Sequence, residues 1–117
     1  MRAKKMYFKD CNLAGRHYYD CDEVFDELRV GTLLRMCPDP ENHHDQNAVA
    51  LFYDKVNEQG EKDEFLLGYI PRTSNEDIAA FLAMGWTNLF ECRISRISPD
   101  EHYERQIMLT IRIKRNE

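Results

Sequence analysis

Apolar and polar residues alternate most regularly near the end of the chain. In residues 106–114, Ile107, Leu109, Ile111 and Ile113 fall on one side, and Met108, Thr110, Arg112 and Lys114 on the other. A period of two marks a strand with one buried face. Residues 89–97 repeat the pattern through Phe90, Cys92, Ile94 and Ile97, and Pro99 and Asp100 lie in the turn between the two runs. Together they predict an antiparallel hairpin. Upstream, residues 6–14, 32–37, 48–53 and 65–70 read as four more strands, with 54–64 as a polar hairpin loop. Three residues of 20–28, Val24, Phe25 and Leu28, are spaced near 3.6. They predict a short helical turn at about 22–28, capped by Asp20 or Asp22 and stopped by Gly31. The main helix is expected at about 74–84. Thr73 and Glu76, or Ser74 and Asp77, form its capping box; Ile78, Phe81 and Leu82 lie on one face; Gly85 stops it. Trp86 is then expected to pack the helix end against the strands. The fold class is mainly β (α+β by count): a small, partly closed six-stranded β-barrel.

The chain has 117 residues, enough for a single domain spanning 1–117. Hydrophobic residues make up 43% and charged residues 32%, which is ordinary globular composition and excludes disorder as the main state. No apolar run is long enough to span a membrane. The basic start has no apolar segment after it, as a signal peptide requires, so a cytoplasmic location without membrane attachment is expected. The net charge of −5 argues against coating nucleic acid by charge alone. Charge is nevertheless segregated. Residues 1–19 hold Arg2, Lys4, Lys5, Lys9 and Arg16 against Asp10, and residues 93–115 are also net basic. If the two ends are neighbouring strands, they form one basic face on an acidic protein.

Four cysteines, Cys11, Cys21, Cys37 and Cys92, are far apart and form no C-x-x-C pair. Cys11, Cys37 and Cys92 lie in apolar runs and are expected in the core. Cys37 with His43, His44 and Asp45 fits no common closed metal site, so neither metal nor cofactor is expected. There is no nucleophile–base pair with a third orienting group, no two-metal acidic motif and no phosphate loop. Enzyme activity is not expected.

The segment between the second and third strands is C-P-D-P-E-N-H-H-D-Q-N-A-V. Pro38 and Pro40 end the strand, and Asn42, Asp45 and Asn47 favour turns in which side chains bond back to the main chain. With Gly31, Leu33 and Leu34 before it, and Leu67-Gly68-Tyr69-Ile70-Pro71 and residues 79–82 after it, the chain resembles the HIRAN domain family. Leu13-Ala14-Gly15-Arg16-His17-Tyr18-Tyr19 is similar to that family's aromatic strand end, and the likeness covers nearly the whole chain. In length the chain resembles the short, free-standing bacterial members.

The resemblance implies an OB-like barrel that captures the 3′ end of single-stranded DNA, in a setting of DNA repair. A helicase, ATPase or nuclease acting in trans is the implied protein partner. By the same resemblance Tyr18 stacks on terminal bases beside His17 and Arg16, Asp45 takes the hydrogen bond of the terminal hydroxyl, and Asn42 supports the loop. His44 stands where the family has Tyr, and Tyr69 where it has His.

Chemistry agrees with these roles. A carboxylate only accepts hydrogen bonds, so Asp45 suits a free sugar hydroxyl and repels a 3′-phosphate. Tyr18, Tyr19, His44 and Tyr69 supply flat faces for bases, and Arg16, Arg72 and Arg93 are candidates for phosphate. Structural roles stand beside the functional ones. Asp45 and Asn47 suit turns; one of Tyr18 and Tyr19 belongs in the core if both lie on a strand; Tyr69 suits a buried ring with its hydroxyl outside. A barrel serving protein interaction without DNA binding is the alternative function. A metal-dependent phosphodiesterase using Asp39, Glu41 and Asp45 is the weaker one.

Overall fold

The computed structural model describes residues 5–115. Arg2 and Lys4 of the basic amino-terminal segment lie outside the described residues. Strands are β1 (Lys5–Asn12), β2 (Leu33–Pro38), β3 (Val49–Val56), β4 (Lys62–Tyr69), β5 (Phe90–Ile97) and β6 (Ile107–Lys114). Helix α1 (Cys21–Val24) runs into a 3-10 turn, and α2 (Glu76–Ala83) precedes β5. All strand pairs are antiparallel, in the order β1-β6-β5-β2-β3-β4. The two basic ends of the chain are therefore neighbours, since β6 lies between β1 and β5. No described helix is long and apolar enough to cross a membrane.

The alternation in β6 behaves as expected: Ile107, Leu109 and Ile111 are buried, and Arg112 is exposed. The β3–β4 hairpin does not. Its strands continue through the segment read as loop, and the turn is confined to residues 57–61. Polar residues extend the strands because they pair across the ribbon and with its neighbours. Arg35 on β2 meets Asp54 at 2.7 Å and Glu64 at 2.8 Å, and Lys55 meets Glu27 at 3.0 Å.

The helices also depart from expectation in their ends. Neither capping box forms, because Asn75 occupies the N-cap position of α2 and makes no side-chain cap bond. Gly85 does stop the helix: at φ +95° it sends its N–H to Leu82 O, and Trp86 N–H reaches Phe81 O. Trp86 itself is 59% exposed and does not pack the helix end inward. Gly31 caps no helix. Leu28 is already extended, and the Gly31 N–H donates to Ile94 O at the start of β2.

Three cysteines are buried, but they are Cys11, Cys21 and Cys92; Cys37 is only half-buried. Burial pushes the thiols of Cys11 and Cys21 up to about 11, and that of Cys92 further. All four are free.

The sheet does not close strand to strand. Residues 13–20 bridge its two edges instead. Leu13 N–H donates to Ile107 O on β6 at 2.9 Å. Ala14 and Tyr69 exchange two hydrogen bonds of 2.9 Å, which ties the segment to the end of β4. Asp20, expected as a helix cap, makes no cap bond; its N–H donates to Leu66 O and its carboxylate accepts the Leu66 N–H. The approach is so close that a Cβ on Gly68 would lie 2.4 Å from Ala14 O. Main chain cannot yield as a flexible side chain does. Gly68→Ala is expected to cost about 1–3 kcal/mol in urea unfolding, the range for forced overpacking. Unchanged stability would show that residues 13–20 are not held against β4.

Candidate functional site

The Pro38–Val49 connection is built around two side chains. Asn42 Oδ1 accepts the N–H groups of His44 (2.9 Å) and Asp45 (3.2 Å), and its Nδ2 donates to Asp39 Oδ2 at 3.2 Å. Asp45 Oδ1 accepts the Asn47 N–H at 2.9 Å. These are the side-chain-to-backbone turns that Asn and Asp favour. Asp39 N–H and Ala48 O close the base of the loop at 2.9 Å. Asn42 is thus the loop's internal brace, and Asn47 contributes its main-chain N–H.

Two more elements meet this loop. From the end of β4, the Tyr69 hydroxyl donates to Asp39 Oδ2 at 3.3 Å. From the connection into α2, Arg72 donates to His44 O, and its Nε lies 3.9 Å from Asp45 Oδ2. Asn75, only 1% exposed, donates from Nδ2 to Asp45 Oδ2 at 2.7 Å. The Asn47 N–H, then the Asn75 amide, hold the Asp45 carboxyl below its ordinary value. Burial, followed by the Asp39 carboxylate, pushes the Tyr69 hydroxyl up, so it stays a donor.

Several of these residues border a cleft of about 210 Å³ at the mouth of the barrel, with Asp39, Asn47 and Asn75 behind them. Tyr19, Asn42, His44, Asp45, Tyr69 and Arg72 line it, over Ala14, Gly15, Ala48 and Ile70. The rings of Tyr19 and Tyr69 are 5.5 Å apart. A larger cleft of about 470 Å³ lies between β2 and β5, but its charged groups are engaged. Arg35 binds Asp54, Glu91 lies between Lys5 and Arg93, and Lys114 binds Asn88. The smaller cleft is the one with a carboxylate, an exposed guanidinium and aromatic walls together.

Of the residues singled out in the sequence, Asn42, His44, Asp45, Tyr69 and Arg72 converge here. Arg16, His17 and Tyr18 do not line the cleft. Arg16 is 4% exposed, with its guanidinium 2.7 Å from Asp22 and over the rings of Phe25 and Tyr103. It is turned inward, away from any phosphate. Arg93 is likewise occupied, by Glu91 and Gly31 O. Residues Arg16–Tyr18 form a 3-10 turn rather than a strand, so neither Tyr18 nor Tyr19 is driven into the core. Tyr18 is 76% exposed on the rim beside His17, and His17 stacks on Tyr103 at 4.4 Å.

Tyr19, one of the flat faces expected from the sequence, lines the cleft as the ring that faces Tyr69. Two further residues were not legible in the sequence. Tyr103 sits in what reads as a plain turn and packs on His17, outside the lining of the cleft. Asn75 was hidden by the two capping-box registers around it; an Asn directly before Glu76-Asp77 was the available signal. Asp39, Glu41 and Asp45 do not assemble as a cation site. Asp39 serves Asn42 and Tyr69, Asp45 serves Asn47 and Asn75, and no three His, Cys, Asp or Glu converge among the described residues.

The molecule is thus a small domain built as a half-open antiparallel barrel with a polar–aromatic cleft at its mouth. More particularly, the chain belongs to the HIRAN domain family, whose model matches residues 6–114. No curated protein matches its sequence. The fold is shared with a crystal structure of a Lactobacillus plantarum protein, at 20% identity and a TM-score of 0.70, over 95% of this chain and 97% of that one. It is also shared with the crystal structure of the HIRAN domain of human HLTF, at 14% identity and a TM-score of 0.59, over 97% of this chain and 81% of that one.

Asp45→Ala is expected to lower stability at neutral pH by about 1–3 kcal/mol, because it leaves the buried Asn75 amide without its acceptor. A carboxyl held low when folded stabilises above its unfolded value and loses that contribution as pH falls through the folded one. The difference between wild type and Asp45→Ala should therefore be constant near neutrality and narrow below about pH 4. Thermal unfolding across pH checks this; a pH-independent difference would show that the carboxylate charge plays no part.

Proposed function

We propose that this chain is a nucleic-acid-binding module that captures the free 3′-hydroxyl end of single-stranded DNA. The observation that carries the reading is the Asp45 carboxylate at the cleft between aromatic faces, with an exposed guanidinium beside it. An ionised carboxylate accepts a hydroxyl's hydrogen bond and repels a terminal phosphate. Tyr19 and Tyr69 form one wall, and His44 lies on the loop side. The exposed Tyr18 ring, set edge-on to His17, offers a further aromatic face for the next bases. Stacking of this kind contributes about 1–3 kcal/mol per base and tolerates any sequence.

Arg72 is the cation best disposed for a phosphate, with its side chain 69% exposed. The positions of His44 and Tyr69 keep an aromatic ring at each site. A module of this kind serves a helicase, ATPase or nuclease acting in trans on the captured end, in the setting of DNA repair. The competing reading is a protein-interaction barrel, favoured by Met84 and Trp86, which are 74% and 59% exposed beyond the end of α2.

Fluorescence anisotropy with short single-stranded DNA separates the two readings. Wild type should prefer a 3′-hydroxyl over a 3′-phosphate by about tenfold, and Asp45→Ala should abolish that preference. Because the cleft reaches few phosphates, log K should fall by only about 1–2 per decade of salt, at about 0.7 per phosphate on a single strand. Absence of binding at low salt, or binding indifferent to the end and to Asp45, would overturn the proposal in favour of the protein-interaction barrel.

A further inference from the structure

Resting on the cleft reading above, we propose that Asn75 sets the preference for a free 3′-hydroxyl, as a positioning residue acting through Asp45. Asn75 is a polar side chain that is 1% exposed. At an N-cap position, Asn ordinarily turns its oxygen to the first N–H groups of the helix. Here it makes no such bond. Its amide donates instead to Asp45 Oδ2, on a loop 30 residues away in sequence. A buried polar group that forgoes its local partner for a distant carboxylate is explained by what it does to that carboxylate.

Asp45 is held from two sides, Oδ1 by the Asn47 N–H and Oδ2 by the Asn75 amide. The two bonds fix the carboxylate plane and fill about half of its roughly four acceptor positions. Arg72 Nε stands at 3.9 Å, beyond hydrogen-bond reach, with its guanidinium donating to His44 O. Without the Asn75 donor, Asp45 is free to turn, and the exposed Arg72 can swing in and engage both oxygens as a fork. That pair would no longer present an open acceptor to a hydroxyl, nor a net negative charge to a phosphate. Asn75 thereby keeps Asp45 out of a hydrogen-bonded fork with Arg72, with open acceptor positions left for the cleft. The other titratable groups near Asp45 are His44 on its own loop, Tyr69 at the end of β4, and Asp39, which is linked through Asn42.

The test is the ratio of affinities for single-stranded DNA ending in a 3′-hydroxyl and in a 3′-phosphate, measured by anisotropy alongside thermal unfolding. In Asn75→Ala the ratio should fall by about tenfold, close to indifference. A merely structural Asn75 would weaken both affinities together and leave the ratio unchanged. Asn75→Asp supplies a second arm should the alanine variant not fold. Its carboxyl must share a proton with Asp45, and while protonated it donates as the amide does. In this variant the preference should decline relative to wild type at the same pH as the pH rises, since the probe's own phosphate ionisation at about pH 6 is common to both proteins. A folded Asn75→Ala that keeps the wild-type ratio, or an Asn75→Asp ratio that follows the wild-type ratio at every pH, overturns the role of Asn75 alone. A wild-type protein indifferent to the end overturns the cleft reading and this inference with it.

Discussion

Two hydrogen bonds between Ala14 and Tyr69 join what the strand order leaves apart. In that order β1 and β4 are opposite edges of the sheet, and no ladder connects them. The reciprocal 2.9 Å bonds, with Asp20 clasping Leu66 beyond them, bring the amino-terminal segment onto β4. The cleft exists because of that junction. Ala14 and Gly15 form its floor, Tyr19 is delivered from one side of the seam, and Tyr69 from the other. Gly68 permits the contact by presenting no side chain to Ala14 O. Barrel closure and the site are one event in this fold.

The strands were legible because one face of each is buried and a two-residue period survives any tertiary context. The outer end of the β3–β4 ribbon, residues 54–56 and 62–64, reads as loop for a physical reason. It is mostly polar and buries no face, so its pairing rests on ion pairs such as Arg35–Asp54, which involve a third strand that periodicity does not reveal. The ends of the helices failed likewise. Asp20 and Asn75 carry side chains suited to capping, yet both are drawn into long-range bonds, to Leu66 and to Asp45. Within the site, the loop residues Asn42 and Asp45 could be read because their contacts are mostly local. Tyr19, readable as a flat face, and Asn75, which was not readable, come from elements distant in sequence, and only the fold brings them to the loop. Arg16 shows the converse, since its place in a basic-aromatic string suggested a surface role that burial against Phe25 and Tyr103 removes.

The acidity of the chain and its family membership fit together once the charges are placed. Asp54 and Glu64 of the β3–β4 ribbon are spent on Arg35 and Lys62, away from the cleft. At the cleft itself one carboxylate is kept ionised and one guanidinium is kept exposed. Recognition at such a place depends on the direction of a few polar atoms more than on the field of the whole molecule. The brace from Asn42 and the tie from Asn75 are the means by which the fold maintains those directions.

The distribution of the thiols has a practical side. Cys11, Cys21 and Cys92 are buried, with thiols pushed well above neutrality, so they are poor nucleophiles at ordinary pH. Cys37 is the more accessible of the four, and it lies on β2 two residues before Asp39, where the loop of the cleft begins. A maleimide dye would therefore attach there first, in the unmodified protein. The sequence thus carries its own attachment point for a reporter, on the strand that leads into the loop of the cleft.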